Sequence, residues 1–198
     1  EVAQRNARGL GFEVEGSVAD AERIPYDDEE FDLVLGHAVL HHIPDVEQAI
    51  RESLRVLRPG GRFVFCGEPT KRGDIVARRL SQATWWATSR AASLPKLGER
   101  FTLSQEERAE SSRVAALESV VDIHTFEPAD LRRTAMRAGA VDVSTVTEEL
   151  TASWFGWPVR TFEAAVRPGV LGWNWAQFAY RGWMTLSALD ERVLDKVV

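Results

Sequence analysis

The spacing of apolar and polar residues changes character once along the 198-residue chain, near Gly67. Before that point the apolar positions come in short runs. Ala3, Ala7 and Leu10 follow helical spacing, and Gly9 or Gly11 suits the left-handed stop of a helix ending there. Phe12 to Val18 alternates apolar and polar, which predicts a short strand. Asp27 to Glu30 reads as a solvated acidic turn. Phe31 to Leu35 is a continuous apolar run of strand length, the kind that a parallel sheet covered on both faces requires. Asp45 and Gln48 form a capping pair for a helix carrying Val46, Ala49, Ile50, Leu54 and Leu57. Arg58 suits the end of that helix, and Pro59-Gly60-Gly61 stops it. Arg62 to Cys66 is a second strand of the buried type. Strand, helix and strand in this order predict a βαβ unit, a parallel sheet and an α/β fold.

Beyond Gly67 the rhythm is helical. Helices are expected over Asp74 to Ala92, Ser104 to Val121, and Pro128 to Ala138 with Gly139 as its stop. Pro158 suits the first turn of a short helix carrying Val159, Phe162 and Val166. Asn174 opens an aromatic helix with Trp175 and Phe178, and Ser187 opens a last one with Leu189, Val193 and Leu194. Only Ala140 to Thr147 alternates like a strand.

Charge and composition narrow the function. The net charge is -6 and the pI about 5.3, which argues against a nucleic-acid binder. No window approaches a membrane span, and no signal-peptide pattern is read, so the cytoplasm is the expected compartment. Cys66 is the single cysteine, which leaves no disulfide framework and no Cys-based zinc site.

In an open parallel sheet, ligands bind beyond the C-terminal strand ends. Three loops are expected there: Ala19-Asp20-Ala21-Glu22, Gly36-His37 with the histidines that follow, and Gly67-Glu68-Pro69. They offer carboxylates, small residues and imidazoles, a set that suits a ligand with amine donors better than a polyphosphate. His37 and His41 have the spacing of a zinc-binding helix. Ala38 stands where the general-base Glu of that motif belongs, so no metal site is expected.

The stretch GSVADAERIPYDDEEFDLVLGHAVLHHIPDVEQAIRESLRVLRPGGRFVFCGEP resembles the core of a class I S-adenosylmethionine-dependent methyltransferase. Its characteristic parts are DAERIP, FDLVLGHAVLHHIPD and LRVLRPGG before a strand. The resemblance implies a Rossmann-like sheet, incomplete in this chain. It implies a partial methyltransferase domain over residues 1–150, a helical cap insert over 70–125 within it, and an aromatic-rich helical segment of the same domain over 151–198. It also implies S-adenosylmethionine as cofactor. Asp20 would accept from the adenine amino group, and the Ala21 amide would meet a ring nitrogen. Gly36 and His37 would lie along the methionine and ribose side. His41 and His42 would line the substrate mouth, as a base or as packing residues, and Glu68 would sit where the acceptor approaches. The reaction implied is an in-line SN2 methyl transfer to a small, partly apolar acceptor. Tryptophans at 85, 86, 154, 157, 173, 175 and 183 read as core residues first, and their density outside the sheet also suggests a lid over it.

The family's glycine-rich loop, and the acidic residue ending its second strand, are expected upstream of Glu1. No final strand is read after Asp195. The chain alone is therefore expected to bind the cofactor weakly and to self-associate through unpaired sheet edges. A non-catalytic, methyltransferase-like interaction module is the alternative.

Overall fold

The computed structural model describes residues 2–92, 94, 106, 123–167 and 169–194. Its elements are α1 (Val2–Gly9), β1 (Phe31–His37), a 3₁₀ turn (Leu40–His42), α2 (Val46–Arg55), β2 (Leu57–Cys66), α3 (Lys71–Ala92), α4 (Pro128–Ala138), α5 (Leu150–Ala165) and α6 (Trp173–Leu194). The fold is α/β, with β1 and β2 pairing in parallel across the α2 crossover.

Helix α2 starts as its sequence predicts, with the Asp45 side chain accepting from the Gln48 amide at 2.9 Å. Ala49 and Ile50 on its inner face are buried, and they join Leu40 and Val56 in the core of this half. The helix ends at Arg55, three residues earlier than its expected end at Arg58. Leu57 instead pairs with Phe31, and β2 runs on through Pro59-Gly60-Gly61. From there to the Leu33–Arg62 pair, β2 takes five steps where β1 takes two. That irregularity absorbs the proline, which has no N–H for a ladder bond, so a sequence that reads as a breaker becomes a bulge. Gly60 sits in the left-handed region at φ +84°.

Two expected strands do not form. Residues 12–18 and 140–147 contain no strand in the described structure. Phe12 is 66% exposed, Val18 104% and Val141 97%. An alternating pattern makes a strand only where a neighbour completes the hydrogen-bond ladder, and the described residues place none beside either segment. On the sheet itself, Val34, Gly36, Phe63 and Phe65 face the covered side, while Leu33, Leu35 and Val64 on the other side are exposed.

The helical half differs from expectation at its joints. Pro158 lies inside α5, which already begins at Leu150. Ser187 does not open a helix, because α6 continues through it. Tertiary contacts override these local signals. A Cβ on Gly156 would come within 2.2 Å of the Trp183 ring, and one on Gly182 within 2.5 Å of Phe155, so the two helices approach glycine to ring. Asp190, 5% exposed, accepts from the Thr151 and Ala152 amides at 2.7 and 3.0 Å and from the Thr151 hydroxyl at 2.7 Å. It thereby caps the start of α5 from the neighbouring helix. Helix α3 also packs on α5. Helix α4 packs on α2 and stops at Gly139, φ +116°, as its sequence predicts. The helix expected over Ser104 to Val121 lies outside the described residues, and among those no helix is long and apolar enough to cross a membrane.

Candidate active site at the strand ends

The C-terminal ends of β1 and β2 meet in a turn organised by one carboxylate. Past His37, the Ala38 amide donates to the Cys66 carbonyl at 2.8 Å and extends the ladder by one residue. Ala38 itself is held at φ +50°, an unfavourable conformation for a residue with a Cβ, of the kind that concentrates at functional turns. The chain then presents three successive amides to Glu68. Val39 and Leu40 donate to one carboxylate oxygen at 2.9 and 3.0 Å, and His41 donates to the other at 3.1 Å. The His41 ring adds a fourth contact, Nδ1 to Oε2 at 2.8 Å. An ionised carboxylate only accepts, so Nδ1 carries the proton. Both side chains are largely enclosed, at 12% exposure for His41 and 7% for Glu68. The His42 ring lies against that of His41, with centroids 4.0 Å apart.

Gly36 is required by its own surroundings. A Cβ there would fall 2.2 Å from the Phe65 ring and 2.9 Å from Val39. Gly67, at φ +74°, brings its backbone beside the His37 imidazole.

The Asp20 loop reaches the same edge. Asp20 Oδ1 accepts from the Glu22 amide at 2.9 Å, and the Arg23 amide donates to the Asp20 carbonyl at 3.1 Å, closing a tight turn. Ala21 packs against the buried cluster of Leu40, Ile43 and Ala49. The Glu22 carboxylate accepts from the Asp45 amide at 2.9 Å, and Gln48 Nε2 donates to the Glu22 carbonyl at 3.3 Å. His41, His42, Glu68 and Ala21 thus share one patch. Asp20 stands exposed in the turn that carries Ala21, and Gly36 and His37 close β1.

Apart from His124, which its position ahead of a helix marks as structural, the further contributors were not singled out by sequence. His124 returns to this edge from far along the chain: the Ile123 and His124 amides donate to the His41 carbonyl at 2.9 and 3.2 Å. The chain leaves the edge at Thr70 and re-enters at Phe126, which bridges to Thr70 in parallel. Glu52 and Arg55, three apart on α2, are the others, and their helical ion-pair spacing was the available signal. The hydrogen bond from Arg55, more than any other influence, lowers the Glu52 carboxyl below its usual range; Glu52 and then Asp28 raise Arg55.

Residues 1–65 match the family model described as a methyltransferase domain. The chain is 41% identical over 80 residues to the methyltransferase GfsG of Streptomyces halstedii, covering 39% of this chain and 26% of that protein. It is 44% identical over 69 residues to the 27-O-demethylrifamycin SV methyltransferase of Amycolatopsis mediterranei, covering 33% of this chain and 25% of that one. Among solved structures, the cyclase SpnF aligns over 98% of this chain and 58% of its own, at 19% identity and a TM-score of 0.49. Over this matched segment, about a third of its length, the chain is similar to methyltransferases. It spans about a quarter of the length of the two curated relatives named.

Proposed function

We propose that this chain forms part of the cofactor and acceptor site of an S-adenosylmethionine-dependent methyltransferase. The observation that carries this reading is the Glu68 carboxylate, which ties the ends of both strands and His41 into one edge beside the Asp20 turn. The donor set at that edge fits the cofactor. An exposed carboxylate (Asp20) next to a backbone amide (Ala21) matches an adenine edge, which offers a donor beside an acceptor. The carboxylates of Asp20, Glu22 and Glu68 suit a cationic ligand. When bound, the cofactor supplies a methyl group on a positively charged sulfur, an activated donor that needs no metal.

The chain's own residues would then do three things. Asp20 and Ala21 hold the adenine, and Gly36 and His37 flank the methionine and ribose side. His41 or His42 takes the acceptor's proton, while Glu68 holds His41 in one tautomer and one orientation and acts through it. A cap formed by residues 70–125, flanked by the Thr70–Phe126 bridge, would exclude water. Holding donor and acceptor in line accounts for about 7–11 kcal/mol of barrier reduction in reactions of this kind. The aromatic helical half supports an acceptor with an apolar portion, and a relative that methylates an oxygen of a rifamycin supports an oxygen nucleophile.

The test pairs two variants. Asp20→Ala weakens binding of S-adenosylmethionine by about 10- to 100-fold, the loss expected for one charge-assisted hydrogen bond. His41→Ala or His42→Ala lowers single-turnover methyl transfer by roughly 100-fold at unchanged cofactor affinity. Unchanged affinity in Asp20→Ala removes Asp20 from the adenine subsite. A second reading, an interaction module that self-associates, is favoured by the exposed face formed by Leu33, Leu35 and Val64. Sedimentation separates the two, since a monomer at all concentrations excludes it.

A further inference from the structure

Arg55 lies at the end of α2, away from the Glu68 turn, yet its guanidinium makes more hydrogen bonds than any chemistry at the strand ends requires. Its Nε donates to Glu52 Oε1 at 3.0 Å. Its Nη1 donates to the Tyr26 carbonyl at 2.9 Å and to Asp28 Oδ1 at 2.7 Å. Its Nη2 donates to the Ile24 carbonyl at 2.8 Å and to Glu52 Oε2 at 2.9 Å. A guanidinium has five N–H groups, and all five are engaged. The Arg55 carbonyl also accepts from the Glu29 amide at 3.0 Å, and Glu52 Oε2 accepts from the Ile24 amide at 3.0 Å. The segment held in this way, residues 24–29, ends in three consecutive acids, Asp27 to Glu29, which with Glu30 repel one another. Its own apolar anchors are half-buried Ile24 and the Tyr26 ring against Phe31.

The same stripe of α2 holds the residues just before it. Asp45, Gln48, Glu52 and Arg55 are spaced by three, four and three, so they line one face of the helix. The first two bind Glu22, whose own amide is bound by Asp20. We propose that Arg55 is a positioning residue of the adenine subsite: by saturating its fork on residues 24–28 it fixes the turn that presents Asp20 and Ala21. This rests on the cofactor reading above and adds a residue that touches no ligand. A lysine keeps the charge but cannot reproduce a five-donor planar fork.

The experiment uses the full chain and four variants: Arg55→Met, Arg55→Lys, the milder Glu52→Gln, and Arg58→Met as a control at an exposed surface pair with Asp32. Amide exchange at Ile24 and Glu29 is measured beside that at Leu35 and Val64. Binding is followed by NMR titration with S-adenosylhomocysteine and with S-inosylhomocysteine, which replaces the adenine amino group by a carbonyl. Arg55→Met and Arg55→Lys are expected to speed exchange at Ile24 and Glu29 by roughly tenfold or more, with Leu35 and Val64 unchanged, as for a local opening. They are also expected to bring the preference for the adenine ligand over the inosine ligand close to one. Glu52→Gln moves both readouts in the same direction by less, and Arg58→Met moves neither. A merely structural arginine would alter stability without altering that preference. Wild-type exchange and wild-type preference in the Arg55 variants overturn the proposal alone. A wild-type chain that shows no preference between the two ligands overturns this proposal together with the cofactor reading.

Discussion

The two halves of the molecule are held together by different chemistry. In the sheet half, charged side chains bind backbone: Glu68 gathers the amides of Val39, Leu40 and His41, Glu22 holds Asp45, and Arg55 holds Ile24 and Tyr26. In the helical half, rings fill the space left by glycines. Trp183 sits against Gly156, Phe155 sits against Gly182, and Phe162, Trp175 and Phe178 stack in sequence. Among the described residues a single acid, Asp190, is buried there, and it caps a helix. Polar ties fix loops to within hydrogen-bond tolerance, which a cofactor subsite needs. Aromatic packing fixes helices but tolerates differently shaped apolar neighbours, which suits the side that would receive an acceptor. The family match covers residues 1–65, which hold the Glu22 and Arg55 ties and the backbone donors to Glu68, and none of the aromatic packing of the helical half.

The sharpest way to break this contrast is to remove the anchor of each half. Glu68→Ala leaves four donors in a closed turn without their acceptor, and is expected to cost about 3 kcal/mol in chemical denaturation and to abolish cofactor-induced shifts at Gly36 and His37. Asp190→Ala is expected to cost about 2 kcal/mol, the loss of a charged helix cap, while leaving those shifts intact. If Asp190→Ala erased cofactor shifts as fully as Glu68→Ala does, the division of labour between the halves would be wrong. Gly156→Ala forces a methyl into the Trp183 ring and is expected to cost about 1–3 kcal/mol, read as a lower thermal midpoint and altered Trp fluorescence.

The smallest effect is a pH dependence. The Glu52 carboxyl titrates below its ordinary value of 4.5 because Arg55 binds its ionised form. A group depressed in the folded state contributes its stability fully above the ordinary value and loses it as the pH falls through the folded one. The protection of the Ile24 amide, its exchange relative to the intrinsic rate at each pH, should therefore fall on acidification from about pH 6 to pH 3, and Glu52→Gln should flatten that response. A fall of equal size in Glu52→Gln would assign the effect to other carboxylates.

How much of this was readable from sequence follows from how local each signal is. The α2 cap at Asp45 and Gln48, the stop at Gly139 and the βαβ order depend on neighbours a few residues apart, and they read correctly. The alternation at Phe12 to Val18 and Ala140 to Thr147 read as strands and is not, because a strand needs a partner that periodicity cannot supply. Pro158 and Ser187 misled for the opposite reason: the packing of α5 on α6 carries the helices through positions whose local chemistry favours a start. At the site, the residues of DAERIP and LHHIPD stood out by type. Their mutual arrangement did not, because Glu68 reaches back across 27 to 29 positions and His124 across 80 to 83 to the turn at His41 and Pro44. Arg55 was passed over because an arginine at a helix end looks like an ordinary dipole partner, and only its hydrogen bonds distinguish it.

The central claim is that the strand ends of β1 and β2, with the Asp20 turn, form a cofactor-binding edge. Its most direct test is a backbone-amide NMR titration of the chain with S-adenosylhomocysteine into the millimolar range, where weak binding still registers. Shifts concentrated at Asp20 to Glu22, Gly36 to His37 and Gly67 to Glu68 are the expected result. Shifts confined to α5 and α6, or none at saturating ligand, would contradict it.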